Sequence, residues 1–175
     1  CRAPLPGFFP FTTGFFSIMV DSLSDEASEA IERLIGKQGG SDFIELELPG
    51  YDTFVVETHE GAYAPFAASD AVSQTAIFSF TSRVNGDLVS DPQVVVAKVN
   101  GSWFPFNWKS DRPPAVRDVR LASVQDGSVA LVEGGSHSTP QSADSADSAK
   151  EQYSKTLEYC EDWFPSMAAR YSDVE

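Results

Sequence analysis

Few side chains in this chain are suited to chemistry. His59 is followed by Glu60, and an imidazole that titrates near neutral pH beside a carboxylate is the pairing that proton transfer uses. A polar surface turn leading into Gly61 explains the same two residues. His137 is the only other histidine, set in a Gly/Ser-rich stretch, so neither a histidine metal cluster nor a Ser-His-Asp triad has material to build on. Asn85, Asp87 and Asp91 carry oxygens that hard cations such as Mg²⁺ or Ca²⁺ accept. Their spacing is not that of a cation loop, and an Asn-Gly-Asp hairpin followed by an Asp-Pro turn accounts for all three. His59, Asp87 and Asp91 are therefore the polar groups that a small enzyme or ligand pocket would have to use. Gly39-Gly40 leads into a strand pattern and Gly134-Gly135 into low complexity, so no glycine loop opens a helix to cradle phosphate. No catalytic residue, metal or cofactor is expected.

A stronger signal is aromatic. Trp103, Phe104, Phe106 and Trp108 fall within six residues of a strand pattern, and alternate strand residues point to opposite faces. Either both faces are covered, by the terminal helices and the Phe-rich N-terminus, or some of these rings are exposed. With Arg112, Arg117 and Arg120 nearby, an exposed half would form an aromatic and cationic surface for a peptide, a protein or an anionic small molecule.

Elements to carry these residues are readable by period. Ser22 with Asp25 three residues on resembles a capping box, and Leu23, Ala27, Ala30, Ile31 and Leu34 then fall on one helical face as far as Ile35, before Gly36. Asp25, Glu26, Glu29 and Glu32 take the opposite face, and Glu29 and Glu32 are its candidate partner contacts. Strand alternation follows at 44–48 and 53–58, with Pro49-Gly50 as the turn, and a loop rich in Ala and Gly is expected from His59 to Ser73. Strands then read at 74–83, 93–99 and 102–108, with Asn85-Gly86 and Asn100-Gly101 giving strong hairpin signals. Val116, Leu121 and Val124 mark one more strand, turned by Asp126-Gly127 toward 129–132. Two-residue turns join only antiparallel neighbours, so the fold class is α+β: an antiparallel meander of six or seven strands with an N-terminal and a C-terminal helix packed on it. The C-terminal helix runs from Ala149 to about Phe164 with Tyr153, Leu157, Cys160 and Phe164 on one face, and Pro165 is expected to end or kink it. A Ser-Ala-Asp stretch at about 134–149 reads as a flexible linker within a single domain. Residues 1–18 have no period and read as an appended segment, with Met19 as the biological start of a domain spanning 19–175.

Charge narrows the partners. Twelve basic against 26 acidic residues give a net charge of −14, which repels nucleic acid and anionic lipid. The acid is uneven: 21–36 holds five acids and one base, and 144–175 holds eight and three, whereas 83–120 holds six bases and four acids. Solvated helix faces explain this; so would imitation of DNA charge, or a salt-adapted source. Cys1 and Cys160 lie too far apart in sequence for a metal-type pair and form no disulfide framework, which suits a reducing, cytoplasmic setting. Cys1 as the lipid-bearing residue of a lipoprotein is the alternative. No apolar run is long enough for a membrane span.

The run Asn85-Gly86-Asp87-Leu88-Val89-Ser90-Asp91-Pro92, with Trp103, Pro105 and Asp111 before a final helix holding Leu157 and Trp163, resembles a family of uncharacterised bacterial and phage domains sharing an NGDL-x-x-DP hairpin. The resemblance covers about residues 78–164 and implies no activity. The function expected is a non-catalytic acidic protein-interaction domain, such as an accessory or anti-defence protein of a phage or mobile element. The alternative is a small enzyme or ligand-binding domain with a pocket between sheet and C-terminal helix.

Overall fold

The computed structural model describes residues 17–61, 72–111, 114–118, 120–123, 129–132 and 146–175. In chain order these form β1 (Ser17–Val20), α1 (Asp25–Gly36), β2 (Phe43–Leu46), β3 (Thr53–Glu60), β4 (Val72–Val84), β5 (Asp87–Val99), β6 (Ser102–Asp111), β7 (Pro114–Asp118), β8 (Arg120–Ser123), β9 (Val129–Val132) and α2 (Ala146–Arg170). Strands β2 to β7 pair in sequence order as a six-stranded antiparallel meander, and β1, β9 and β8 form a second, three-stranded sheet. The fold is thus α+β with a helix near each end, as the periodicities predict.

Turn chemistry fixes the register. Asn85 and Gly86, and again Asn100 and Gly101, all have positive φ, at 53°, 89°, 51° and 82°. This is the left-handed pair that a two-residue hairpin turn matching strand twist requires. It joins β4 to β5 and β5 to β6 without a longer loop.

Two buried clusters hold the layers together. One gathers Ala27, Ile31 and Leu34 of α1, Cys160, Phe164 and Met167 of α2 with Tyr171 just beyond it, and Phe54, Val56, Phe78, Val94 and Trp103 of the sheet. The other gathers Ile77, Val95, Ala97, Val99, Phe104 and Phe106 with Val129 of β9 and Ala149 and Tyr153 from the start of α2. Both faces of the central strands are therefore covered, which is why β5 reads as the nearly continuous apolar run Val94 to Ala97.

Four expectations are corrected. The N-cap of α1 is Ser24 rather than Ser22: its Oγ accepts the Ala27 N–H at 3.2 Å, and Leu23 is left outside the helix, its N–H donating to the Trp103 carbonyl at 2.9 Å. Residues 17 and 18 are part of β1, paired with β9, while residues 1–16 lie outside the described residues. Helix α2 begins at Ala146 and runs through Pro165 to Arg170. Pro165 forfeits one intrahelical bond, at a cost of about 3 kcal/mol; burial of Met167, Ala168 and Tyr171 in the first cluster offsets it by more. The strand expected around 116–124 is split between β7 in the large sheet and β8 in the small one. The loop at 62–71, Asp126-Gly127 and the linker up to 145 lie outside the described residues.

Candidate functional site

The aromatic strand is core, and a β-bulge makes it so. Val95 faces Asn107 while Val96 faces Pro105, which leaves Phe106 as an extra residue on β6. An extra residue inverts the alternation beyond it. Trp103 and Trp108, five residues apart, consequently both pack with the helix-side cluster, and Phe104 and Phe106 both join the other. Trp103, Phe104 and Phe106 are buried, so they are withdrawn from any partner surface; only Trp108 remains half-exposed. Arg112 lies outside the described residues.

Glu29 and Glu32 are exposed on α1, as expected of its acidic face, and with Asp25, Arg33, Gly101 and Trp103 they border a shallow groove beside the β5–β6 turn. Glu32 has internal work there. Its Oε1 accepts the Trp103 indole N–H at 3.0 Å and the Lys98 ammonium at 2.5 Å, and the Lys98 ammonium also sits 5.3 Å from the centre of the Trp103 ring. This carboxylate ties α1 to the sheet at the β5–β6 turn.

The three candidate pocket residues do not meet. His59 lies opposite Thr75 on β4, Ser90 beside Asp91 lies opposite Thr81, and Asp87 lies opposite Val84. At about 3.4 Å per residue those rows are roughly 20 Å and 30 Å from His59. His59 belongs to a strand rather than a loop, and its Nε2 contacts Glu57 at 2.7 Å, the residue two positions back on the same face; Glu60 points to the other face. Asp91 accepts the Ser110 hydroxyl at 2.7 Å, and Asp91-Pro92 sits at a bulge inside β5 rather than in a turn. The space between the sheet and α2 is filled by Cys160, Phe164 and Phe78, with the Phe78 and Phe164 rings edge to face at 4.9 Å. Among the described residues no group of three His, Cys, Asp or Glu side chains is placed to hold a metal.

What the fold assembles instead is a surface along one flank of α2. Tyr159, Trp163, Ser166 and Arg170 follow each other at helical spacing, about 90° around the helix from the buried Cys160, Phe164 and Tyr171. Glu161 lies on the opposite flank, where its carboxylate accepts the Ser24 N–H at 2.8 Å and the Ser24 hydroxyl, so α1 covers that side. On the open flank, Trp108 meets the Tyr159 ring edge-on at 5.9 Å, Tyr159 stacks on Trp163 at 5.9 Å, and Trp163 stands edge-on to Phe80 at 6.3 Å. A groove runs past Phe80, Tyr159, Trp163, Met167 and Arg170 into an adjoining hollow at Tyr51 and Asp52.

An arginine closes each end of this aromatic run. Arg117 lies directly opposite Trp108 in the sheet and its guanidinium stacks 4.1 Å above the indole; Arg170 stacks 4.5 Å above Tyr51, itself 56% exposed. Among the described residues neither guanidinium has a carboxylate partner. Desolvation lowers the pKa of Arg117 and raises that of the Tyr159 phenol to about 12, so at neutral pH one is charged and the other a neutral donor. Of this surface, sequence reasoning named Trp108 and noted Arg117. It missed Tyr159, Trp163, Arg170 and Tyr51. The signal was available: Tyr159 and Trp163 form a second apolar stripe at i, i+4, outside the one that packs on the sheet.

No family model, no curated protein and no solved structure matches this chain.

Proposed function

We propose that this is a non-catalytic protein-interaction domain that receives a peptide segment of another protein along the open flank of α2. The observation that carries the reading is the continuous run of half-exposed Trp108, Tyr159 and Trp163 between two stacked arginines. Trp, Tyr and Arg are the residue types in which binding energy concentrates, because they bury large areas and retain a polar handle. Rigid support matters as much as composition. The rings are braced from beneath by Phe54, Phe80 and Phe164, with Trp163 edge-on to Phe54 at 5.8 Å and to Phe164 at 5.2 Å, so little ordering cost is left for binding. The acidic faces of α1 keep the domain soluble and are not needed for contact. No helix among the described residues is long and apolar enough to cross a membrane.

Selection of a random twelve-residue peptide library against the full chain tests this. Sequences should be enriched that bind wild type and lose binding to Trp163→Ala, with Glu29→Gln as a neutral control. Enrichment of nothing, or of peptides indifferent to Trp163→Ala but lost with Glu29→Gln, overturns the reading.

A further inference from the structure

We infer that the segment received is acidic at two points: a peptide with two carboxylates five or six residues apart and uncharged, apolar residues between them. This rests on the docking reading above and adds the chemistry of the partner. Arg117 and Arg170 stand at opposite ends of the groove, each held by an aromatic ring and neither paired with a carboxylate among the described residues. That is an unusual economy in a chain with 26 acids and twelve bases, where three of the four ion pairs among the described residues occupy a lysine and the fourth a histidine. Stacking on an indole or phenol leaves the planar edge of a guanidinium facing outward for two parallel N–H donors, the geometry that recognises a carboxylate; the one contact there is Arg170 Nη1 to the weak acceptor Met167 Sδ at 3.9 Å, which a carboxylate would replace.

Spacing follows from the helix between them. Tyr159 to Arg170 is eleven residues, or about 16 Å at 1.5 Å per residue, and the Arg117 guanidinium lies at the Tyr159 end, over Trp108 and close to the Tyr159 phenol. A separation of about 16–20 Å is spanned by five or six residues of extended chain at ~3.3 Å each. The groove between is apolar at Phe80, Trp163 and Met167, while Asp162 borders it and Asp52 adjoins the far end. Asp162 repels a further negative charge there, which is why the middle of the peptide is uncharged. The net charge of −14 slows approach of an acidic partner, but a Debye length of about 8 Å at physiological salt confines that penalty and leaves the contact pairs intact.

The test uses fluorescein-labelled ten-residue peptides with a Leu-Phe centre and two glutamates separated by three to seven positions, with an all-glutamine control, titrated against the full chain by anisotropy in 0.15 M salt. Affinity should peak at a separation of five or six, and the glutamine control should bind roughly tenfold more weakly for each carboxylate lost. Arg117→Gln and Arg170→Gln should each cost roughly tenfold with the glutamate peptide and almost nothing with the glutamine control. Arg117→Lys should give an intermediate loss, because the charge survives and the fork does not. Equal binding of glutamate and glutamine peptides, or no optimum in spacing, overturns the inference; if binding is still lost with Trp163→Ala, the docking reading survives. If none of the series binds, the inference also falls, and the random library decides the docking reading by itself.

Discussion

Removing the Glu161 carboxylate should loosen α2 from α1 and lower stability by an amount the structure lets one estimate. Glu161 accepts two hydrogen bonds from one residue, the N–H and the hydroxyl of Ser24, and Ser24 also caps α1 through Ala27. Hydrogen bonds to a charged group contribute about 1.5–3 kcal/mol when sheltered. These are exposed, so together they should contribute about 1–2 kcal/mol. Glu161→Ala should therefore shift the melting temperature down by roughly 3–6 °C in a domain of this size. Ser24→Ala removes the cap and one of the two bonds, at a cost of about 1 kcal/mol. In a double-mutant cycle by urea denaturation, the pair should couple by about 0.5–1 kcal/mol, since the backbone N–H bond survives in Ser24→Ala. A coupling below about 0.3 kcal/mol, or a Glu161→Ala loss under about 0.5 kcal/mol, would refute the idea that this carboxylate joins the helices.

Phe164→Ala empties a fully buried site between Phe78 and Trp163, and urea denaturation should register a loss of about 3–5 kcal/mol. Gly101 has φ +82°, so Gly101→Ala should cost about 1–2 kcal/mol in the same assay although nothing lies within 4 Å of the new Cβ; an unchanged midpoint would contradict the left-handed turn. Burial raises the folded-state pKa values of Cys160, Tyr153 and Tyr159, the last to about 12, so the unfolded chain loses these protons first. Their stabilisation is complete below the ordinary thiol and phenol values and fades as pH rises: melting temperature should fall from about pH 9 upward, with a limiting slope of about 4 kcal/mol per pH unit once all three ionise in the unfolded state alone. Cys160→Ala should delay that fall toward pH 10, and a flat profile from pH 8 to 11 would be inconsistent with their burial.

The parts of the fold that follow from local chemistry were legible. The Asn-Gly pairs dictate positive φ at both turn positions, and a meander follows from turns that short. The buried stripe of α2 was equally plain. The bulges were not, yet each carries a mark: Pro92 and Pro105 both lie inside strands, and both sit where the register shifts. Proline lacks the N–H that a ladder needs, so within a sheet it collects at edges and bulges. Reading Pro105 that way would have turned Trp108 to the helix side and buried Phe106. The site was harder, because it joins Trp108 and Arg117 to α2 residues more than forty positions away and to Tyr51, and no local pattern reports such proximity. His59, Asp87 and Asp91 failed as a set for the opposite reason: antiparallel pairing places His59 on β3 near one end of β4 and Asp91 and Asp87 on β5 toward its other end.

The three tryptophans offer the most direct test of the docking surface. Trp108 and Trp163 lie in the groove's aromatic run, whereas Trp103 is 1% exposed at the other end of β6 and bonded to Glu32, which makes it an internal control. With ¹⁵N-labelled indoles, titration of a peptide taken from the library selection should move the Trp108 and Trp163 resonances and leave Trp103 in place. Movement of Trp103 alone, or of none of the three while the peptide binds, would contradict the account.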